Sequence, residues 1–101
     1  MILVTGSITA RVDSFEVVLE HCVTHVRRSR TEPGCISHAV HRDAENPLRL
    51  VFVEQWRDMP AVLRHFAVSG SREFVKTVGV LAAATPDIQI YDATPIAFPP
   101  A

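Results

Sequence analysis

Five histidines are the residues of this chain best suited to acid–base or metal chemistry. Two of them, His38 and His41, stand three residues apart in the segment RTEPGCISHAVHRD. Histidine can take up a proton near neutral pH, because its unperturbed pKa is about 6.5, and it is also the commonest metal ligand. The pair could be a metal site, a catalytic pair or polar residues on a strand, and the elements that carry it decide between these roles.

His21 and His25 are separated by one helical turn, a spacing that can bind zinc. The glutamate of the HExxH motif is missing, however, because Cys22 follows His21. We expect both histidines to be solvated on the polar face of a helix, and no metal site is predicted. Cys22 and Cys35 are too few for a disulfide scaffold, and Cys35 is expected to be a buried, unreactive thiol.

The composition indicates one folded domain without affinity for nucleic acid. At 101 residues, 48% of them hydrophobic, the chain can build one core and is too apolar to be disordered. Its formal net charge of -1 gives no field that attracts nucleic acid or an anionic membrane. The N-terminal MILVTGSITA has no basic region and is too short an apolar run for a signal sequence or a membrane span, so a cytoplasmic protein is predicted.

Alternating and helical patterns follow one another in the order βαββαβ. Strands are recognised by apolar residues at every second position, and helices by apolar stripes at spacings of three and four. The second helix is interrupted at the sequence SGS, residues 69–71. The predicted ranges are a strand at 2–10, a helix from about 14 to 30, strands at 35–43 and 48–56, helical segments from 58 and from 71, and a strand at 87–93.

This order predicts an α+β fold of the ferredoxin-like type. Right-handed crossovers place both helices on one face of a four-stranded antiparallel sheet. Both faces of the hairpin strands carry apolar residues, so we expect the second face to pack, sheet against sheet, on another copy of the chain. Residues 1–93 are predicted to form this single domain, and residues 94–101, TPIAFPPA, a proline-rich tail.

The pairing of the two hairpin strands decides which histidine lies on the pocket face. If Asp43 pairs with Leu48, His41 shares a face with the apolar residues of the next strand. This register turns His38 to the opposite face, towards a partner subunit. A slip of one residue would exchange the two histidines, because side chains alternate along a strand. The residues expected to share the pocket face with His41 are Leu50, Phe52 and Trp56.

Four sequence features together resemble the antibiotic biosynthesis monooxygenase family. They are EPGC before the second strand, VHRD at its end, LVFVEQW in the third strand, and His65 nine residues after Trp56. The likeness extends from about Ile2 to Tyr91 and implies a dimeric α+β barrel. Trp56 corresponds to the family's tryptophan at the end of the third strand, and His41 to a histidine that actinorhodin-type members carry before the hairpin.

The chain departs from the family pattern at several polar positions. Phe52 stands where those enzymes have an asparagine, and Val62 where they have a helical tyrosine. Gly70 stands where many relatives have a second histidine, and Lys76 corresponds to a basic residue late in their helical region. The resemblance therefore specifies the fold better than the activity.

The resemblance implies a cofactor-independent monooxygenase that oxidises a hydroxylated aromatic or a quinol with molecular oxygen. Such a reaction needs a dry pocket, a base tuned near neutral pH and a donor that holds the phenolate. His65 or His41 would be the base, and the indole N–H of Trp56 the donor. The residues expected to line the substrate pocket are Phe52, Leu50, Val62, Phe66, Phe74 and Lys76.

Two alternatives stay open, a haem-binding or haem-degrading relative and a non-catalytic small-molecule-binding dimer. The asparagine expected in haem-degrading relatives has no clear counterpart in ILVTGSITA, while the missing polar residues favour a binding module. Nucleotide and flavin cofactors have no support, because the sequence has no glycine-rich phosphate loop. The expected partners are a second copy of the chain, a small aromatic substrate and oxygen, and no cofactor is predicted.

Overall fold

Four strands and three helices make up the computed structural model, which describes residues 1–99. The predicted order of the elements is confirmed, and the last two residues of the predicted tail lie outside the described residues. No helix among residues 1–99 is both long and apolar enough to cross a membrane. The strands are β1 (Ile2–Thr9), β2 (Cys35–Arg42), β3 (Arg49–Trp56) and β4 (Asp87–Asp92), and the helices are α1 (Phe15–Ser29), α2 (Met59–Ala67) and α3 (Ser69–Leu81).

The four strands form one antiparallel sheet in the spatial order β2-β3-β1-β4. This strand order and the helical crossovers confirm the ferredoxin-like α+β fold. Apolar side chains of α1 and α3 pack on β1 and β3 from one face of the sheet. On the opposite face, side chains of the same two central strands keep part of their surface exposed. The sheet therefore has one face that packs against helices and one open face.

A single extended residue separates α2 from α3, so the predicted interruption over residues 69–71 is too long. Val68 has an extended backbone with ψ 144°, and α3 already begins at Ser69. The first N–H groups of a helix have no intrahelical partner, so serine and glycine are tolerated in the first turn. The start of α2 agrees with the prediction, because the carboxylate of Asp58 accepts a hydrogen bond of 3.0 Å from the N–H of Ala61.

The register of the β2–β3 hairpin differs by one residue from the prediction. His38 lies opposite Glu54, on the face that packs against the helices. His41 lies opposite Val51 on the open face, where it is exposed. The predicted positions of the two histidines are therefore wrong and have to be exchanged.

Hydrogen bonds in the hairpin loop explain this register. Oδ1 of Asp43 accepts from the backbone N–H of Glu45 at 2.8 Å and of Asn46 at 3.3 Å. Oδ1 of Asn46 in turn accepts from the N–H of Leu48 at 3.1 Å. Leu48 is therefore part of the turn, and pairing starts with the N–H of Asp43 donating to the carbonyl of Arg49 at 3.0 Å. Two short polar side chains thus shift the strand by one residue.

A layer of polar side chains divides the buried core in two. One apolar cluster contains Leu50 and Phe52 of β3, and the other surrounds Trp56 at the end of the same strand. Glu54 lies between them on the same face and is only 6% exposed. A buried carboxylate is unfavourable unless it is paired. Its partners are therefore candidates for a functional site.

Gly34 has a backbone conformation that favours glycine, with φ +84°. A Cβ at this position would lie 2.5 Å from the Cβ of Ala61 in α2. We expect Gly34→Ala to lower the free energy of unfolding by about 2 kcal/mol or more, because the backbone would be strained and the two side chains would clash. Urea unfolding followed by circular dichroism measures the change.

Gly79→Ala is the matched control, because a Cβ there would meet nothing within 4 Å. Gly79 lies within α3, where alanine is the better helix former, so this variant is expected to gain about 0.5–1 kcal/mol. Equal stability of the two variants would contradict the strained turn at Gly34.

Candidate functional site

Three histidines from separate elements meet between the sheet and the helices. His25 of α1, His38 of β2 and His65 of α2 are 5%, 1% and 2% exposed. Their ring centroids are 5.3 Å apart for His25 and His38, 5.2 Å for His25 and His65, and 5.5 Å for His38 and His65. Within residues 1–99, these three form the group whose side chains could together hold a metal ion.

Glu54 of β3 lies next to these rings. Its Oε1 accepts a hydrogen bond of 3.0 Å from the indole N–H of Trp56. The same oxygen lies 3.2 Å from Nε2 of His38 and 4.0 Å from Nε2 of His65. One carboxylate oxygen is therefore surrounded by an indole and two imidazoles. We call His25, His38, His65, Glu54 and the residues that contact them the histidine cluster.

Glu32, in the turn after α1, holds His65 from the other side. Its Oε1 lies 2.8 Å from Nδ1 of His65. Because a carboxylate oxygen accepts, His65 donates from Nδ1 and leaves the lone pair of Nε2 free on the side of Glu54. The ring also lies against Trp56, with the two centroids 4.6 Å apart. His65 is thus oriented as a base whose free nitrogen lies near a second carboxylate.

Arg28 of α1 connects the cluster to α3. Its Nη2 donates to Nδ1 of His25 at 2.7 Å and to Oγ of Ser71 at 3.0 Å. Its Nε lies 3.5 Å from Oε2 of Glu32. Arginine can only donate, so His25 accepts through Nδ1 and carries its own proton on Nε2. A Cβ at Gly70 would lie 2.5 Å from Nη1 of Arg28, so glycine leaves the room that the guanidinium occupies.

Burial keeps His25 unprotonated. It lowers the pKa of His25 to about 3, and the neighbouring His38, His65 and Arg28 add to the shift because they disfavour a further positive charge. At neutral pH, His25 is therefore a neutral imidazole.

His65 and Glu54 are shifted by competing effects. Burial lowers the pKa of His65, although the nearby Glu32 and Glu54 oppose that shift. Burial alone would raise the pKa of Glu54, but its contacts with His38, Trp56 and His65 outweigh this effect and hold the pKa below its usual range. At neutral pH the site thus combines an ionised carboxylate with an imidazole that is free to accept a proton.

An apolar cavity of about 340 Å³ lies beside the cluster, between α3 and the strands β1 and β4. Glu54 is the ionisable member of the cluster that lines it, and the other polar residues of its wall are Ser7, Thr85 and Asp87. The volume is within the range of about 300–1,000 Å³ that small-molecule pockets occupy. The apolar wall includes Ile8, Phe74, Val75, Val78 and Ile88.

The structure brings together some of the predicted site residues. His65 and Trp56 both belong to the buried cluster. Phe52 and Phe74 are neighbours with ring centroids 5.9 Å apart, and Phe74 lines the cavity. The indole N–H of Trp56, predicted to hold the substrate, donates instead to Glu54.

Other predicted site residues lie elsewhere. His41 is exposed on the open face of the sheet, so its predicted place on the pocket face is wrong. Leu50 and Val62 are fully buried within the two apolar clusters. Phe66 and Lys76 line a second hollow, formed by α2, α3 and Ile88 of β4. Leu50 does not line the cavity because it packs into the core from β3, and Val62, Phe66 and Lys76 do not because their helices present other residues to it.

Sequence reasoning missed two histidines and two glutamates of the cluster. The pattern predicts a solvated His25, yet this residue is seven positions after Val18 and so falls on the buried helical stripe. Glu54 alternates with buried aromatic residues, and a carboxylate in such a row is itself a signal. Glu32 gave no signal, because it meets His65 across a separation of 33 residues. The missed residues are His25, His38, Glu32 and Glu54.

The two cysteines contribute no reactive thiol. Cys22 is fully buried, and burial raises its pKa to about 12. Cys35, predicted to be buried, is only partly so at the start of β2. Burial, with the charges of Glu54 and Glu32, raises its pKa as well. Both thiols are protonated at neutral pH and are therefore poor nucleophiles.

Residues 1–77 match the model of a protein family described as antibiotic biosynthesis monooxygenase. An uncharacterized protein of Synechocystis is 34% identical over 90 residues, which cover 89% of this chain. The chain spans only 61% of the length of that relative.

Solved structures with the same fold extend the comparison. A protein from Deinococcus radiodurans has a TM-score of 0.91 at 21% identity, covering 96% of each chain. One from Mycobacterium tuberculosis has a TM-score of 0.89 at 20% identity, covering 95% of this chain and 97% of the other. A structure described as an antibiotic biosynthesis monooxygenase has a TM-score of 0.87 at 24% identity, covering 94% and 100%. At such identities the likeness shows the fold.

Proposed function

Because this chain belongs to the antibiotic biosynthesis monooxygenase family, we propose that it is a cofactor-independent monooxygenase that oxidises a hydroxylated aromatic or a quinol with molecular oxygen. One observation carries the proposal: Glu54, His65 and Glu32, whose side chains are 8%, 2% and 12% exposed, form a line of proton acceptors beside an apolar cavity. Such a line can take up the proton of a phenol where water is excluded.

The proposed reaction needs no external reductant. A hydroquinone with a free ring position and one O2 become a hydroxyquinone and one water, and the substrate supplies all the electrons. Loss of a phenolic proton gives an anion that passes one electron to O2. The two radicals join as a ring peroxide anion, which takes back the proton held by the protein and becomes a hydroperoxide. Cleavage of its O–O bond with loss of the ring C–H proton then releases water. The protein has to accept the first proton and keep solvent away.

Glu54 is the residue that meets the substrate in this mechanism, since it lines the cavity. Its carboxylate accepts a hydrogen bond from the substrate hydroxyl, and the proton passes to Nε2 of His65, which is 4.0 Å from Oε1. Glu32, bound to Nδ1, stabilises the imidazolium that forms. Trp56 positions Glu54 through its N–H and does not touch the substrate.

Oxygen consumption by the purified protein tests the proposal. After treatment with a chelator, the protein is expected to accelerate oxygen uptake with members of a panel of hydroquinones and dihydroxynaphthalenes. Mass spectrometry is expected to show a product that has gained one oxygen and lost two hydrogens. Thermal stabilisation by these compounds with no oxygen uptake would instead support a non-catalytic binding protein.

We also propose that the open face of the sheet packs on a second copy of the chain. Val53 lies at the centre of this face, between Thr5 of β1 and Ala39 of β2, and is 38% exposed. Tyr91 of β4 is 48% exposed on the same side. Apolar side chains at the centre of an open sheet favour an apolar partner, and a two-fold dimer of identical sheets satisfies both copies.

Light scattering after gel filtration is expected to give a mass of about 22 kDa, that of a two-fold dimer of the 11.2 kDa chain. We expect Val53→Asp to shift the protein to the monomer, because it places a charge on both sides of the interface. Val80→Asp is the control, since Val80 is 74% exposed on α3. A dimer that withstands Val53→Asp at low concentration would contradict this interface.

A further inference from the structure

We infer that His25, His38 and His65 bind a divalent transition-metal ion such as zinc, with Glu54 as the fourth ligand. Zinc is commonly held by imidazole nitrogens and a carboxylate oxygen in tetrahedral geometry. The inference goes beyond the proposed oxygenation and does not depend on it.

The spacing of the three rings suits a tetrahedral ion. A zinc ion lies about 2.1 Å from an imidazole nitrogen and about 1.2 Å further from the ring centroid, so tetrahedral angles place the centroids about 5.3 Å apart. The observed centroid distances are 5.2, 5.3 and 5.5 Å. The ring nitrogens lie within 4.8 Å of one another, wider than the roughly 3.4 Å expected around one ion. The three rings therefore have to rotate until their nitrogens face the ion, but their centroids do not have to move closer together.

Unpaired polar atoms at the same place support a bound ion. Within the described part of the chain, four buried side-chain nitrogen and oxygen atoms have no hydrogen-bond partner, and all belong to the cluster. Two of them are the ring nitrogens of His38, whose side chain is 0% exposed: Nε2 lies 3.2 Å from Oε1 of Glu54 without forming a hydrogen bond, and Nδ1 has no partner. The other two, Oε2 of Glu32 and Nε of Arg28, form an ion pair at 3.5 Å. Buried polar atoms are nearly always hydrogen-bonded, so the imidazole of His38 points to a bound group.

The two carboxylates suit a cation. Oε1 of Glu54, 3.2 Å from Nε2 of His38 and 4.0 Å from Nε2 of His65, is positioned to become the fourth ligand. Glu32 accepts from Nδ1 of His65 and so fixes the tautomer that offers Nε2, as carboxylates commonly do for metal-binding histidines. The two negative charges of Glu32 and Glu54 exceed the one positive charge of Arg28. This excess of negative charge favours the binding of a cation.

The hydrogen bond between Arg28 and His25 has to break when the ion binds. Arg28 donates to Nδ1 of His25 and so keeps the proton of that ring on Nε2. Arg28 also reaches Ser71 at 3.0 Å and lies 3.5 Å from Glu32, so it keeps partners when the ring of His25 turns. A groove of about 330 Å³ between α1 and α3 reaches His25 and Arg28 from the surface, so an ion can approach the cluster at the contact that has to change.

Titration of the metal-free protein with Co2+ tests the inference, because four-coordinate Co2+ absorbs strongly in the visible. We expect one ion per chain with intense absorption, and displacement of Co2+ by Zn2+. His38→Gln is expected to weaken binding at least about tenfold. His41→Gln, on the open face of the sheet, is the control and is expected to bind as the parent does.

Histidine NMR signals of the unaltered protein give a second readout that needs no variant. At one equivalent of Zn2+, the imidazole signals of the three buried histidines are expected to shift, and those of His21 and His41 to stay. Pale, six-coordinate Co2+ spectra, shifts confined to His21 and His41, or unchanged binding by folded His38→Gln would each overturn the inference.

These measurements contain no quinol, so their failure leaves the oxygenase proposal standing, and inactivity towards quinols leaves the metal site standing. An ion on Nε2 of His65 removes the proposed base. The metal-loaded protein is therefore the form that cannot oxygenate.

Discussion

Oxygen uptake with a quinol is expected to fall about 10²- to 10⁴-fold when His65 is replaced by glutamine, the range that a general base contributes. In the proposed reaction Nε2 of His65 receives the proton that Glu54 accepts from the substrate. Glu32 prepares this nitrogen by holding Nδ1 at 2.8 Å. Glutamine is of similar size but takes up no proton near neutral pH. Initial rates from an oxygen electrode at saturating quinol compare the variant with the parent.

His41→Gln is the control for this experiment, because the sequence alone makes His41 an equal candidate for the base. Its side chain is exposed on the open face of the sheet, away from Glu54, so its rate is expected to stay within about twofold of the parent rate. Parent-like rates for His65→Gln would reject His65 as the base. A loss confined to His41→Gln would place the reaction on the opposite face of the sheet.

The free energy of unfolding is expected to decrease as the pH is lowered from about 6.5 to about 3, because of His25. Its pKa is 6.5 in a hydrated imidazole and is lowered to about 3 in the folded protein, mainly by burial. Between these values the unfolded chain binds more protons than the folded chain, so acid favours unfolding. The stabilisation is complete above about pH 6.5, and the loss on acidification is on the order of 3–5 kcal/mol. The lowered pKa of Glu54 acts in the same direction at lower pH.

Urea unfolding at a series of pH values measures this slope. In His25→Gln the group that takes up the proton is gone, so the slope between pH 6.5 and pH 3 is expected to become shallower even if the variant is less stable at pH 7. His21→Gln is the matched control, because His21 is exposed one turn earlier on α1. If the parent and His25→Gln had the same slope, the buried neutral state of His25 would be refuted.

The order of the helices and strands could be predicted because its signals are local. Alternation at every second residue, stripes at spacings of three and four, and the cap at Asp58 depend only on neighbours in the chain. The turn at Pro33-Gly34 and the motif LVFVEQW are equally local. These local signals were sufficient to predict the ferredoxin-like fold and the family, and to select His65 and Trp56 as site candidates.

The hairpin register marks the limit of such signals. Side chains alternate with a period of two, so an error of one residue exchanges the faces of His38 and His41. Both sheet faces of β2 and β3 carry apolar residues, and the apolar pattern therefore cannot choose between the registers. Side-chain hydrogen bonds of Asp43 and Asn46 within the loop set it.

The sequence by itself determined the fold of this protein and two base candidates, His41 and His65, of which the buried cluster contains His65. Only the tertiary structure decided which side chains join it. His25, His38, Glu32 and Glu54 come from different parts of the chain, and no periodicity encodes the distance between side chains on separate elements. Whether an imidazole is solvated, a base or a metal ligand depends on burial and on neighbouring charges. Those conditions exist only after the helices have packed on the sheet.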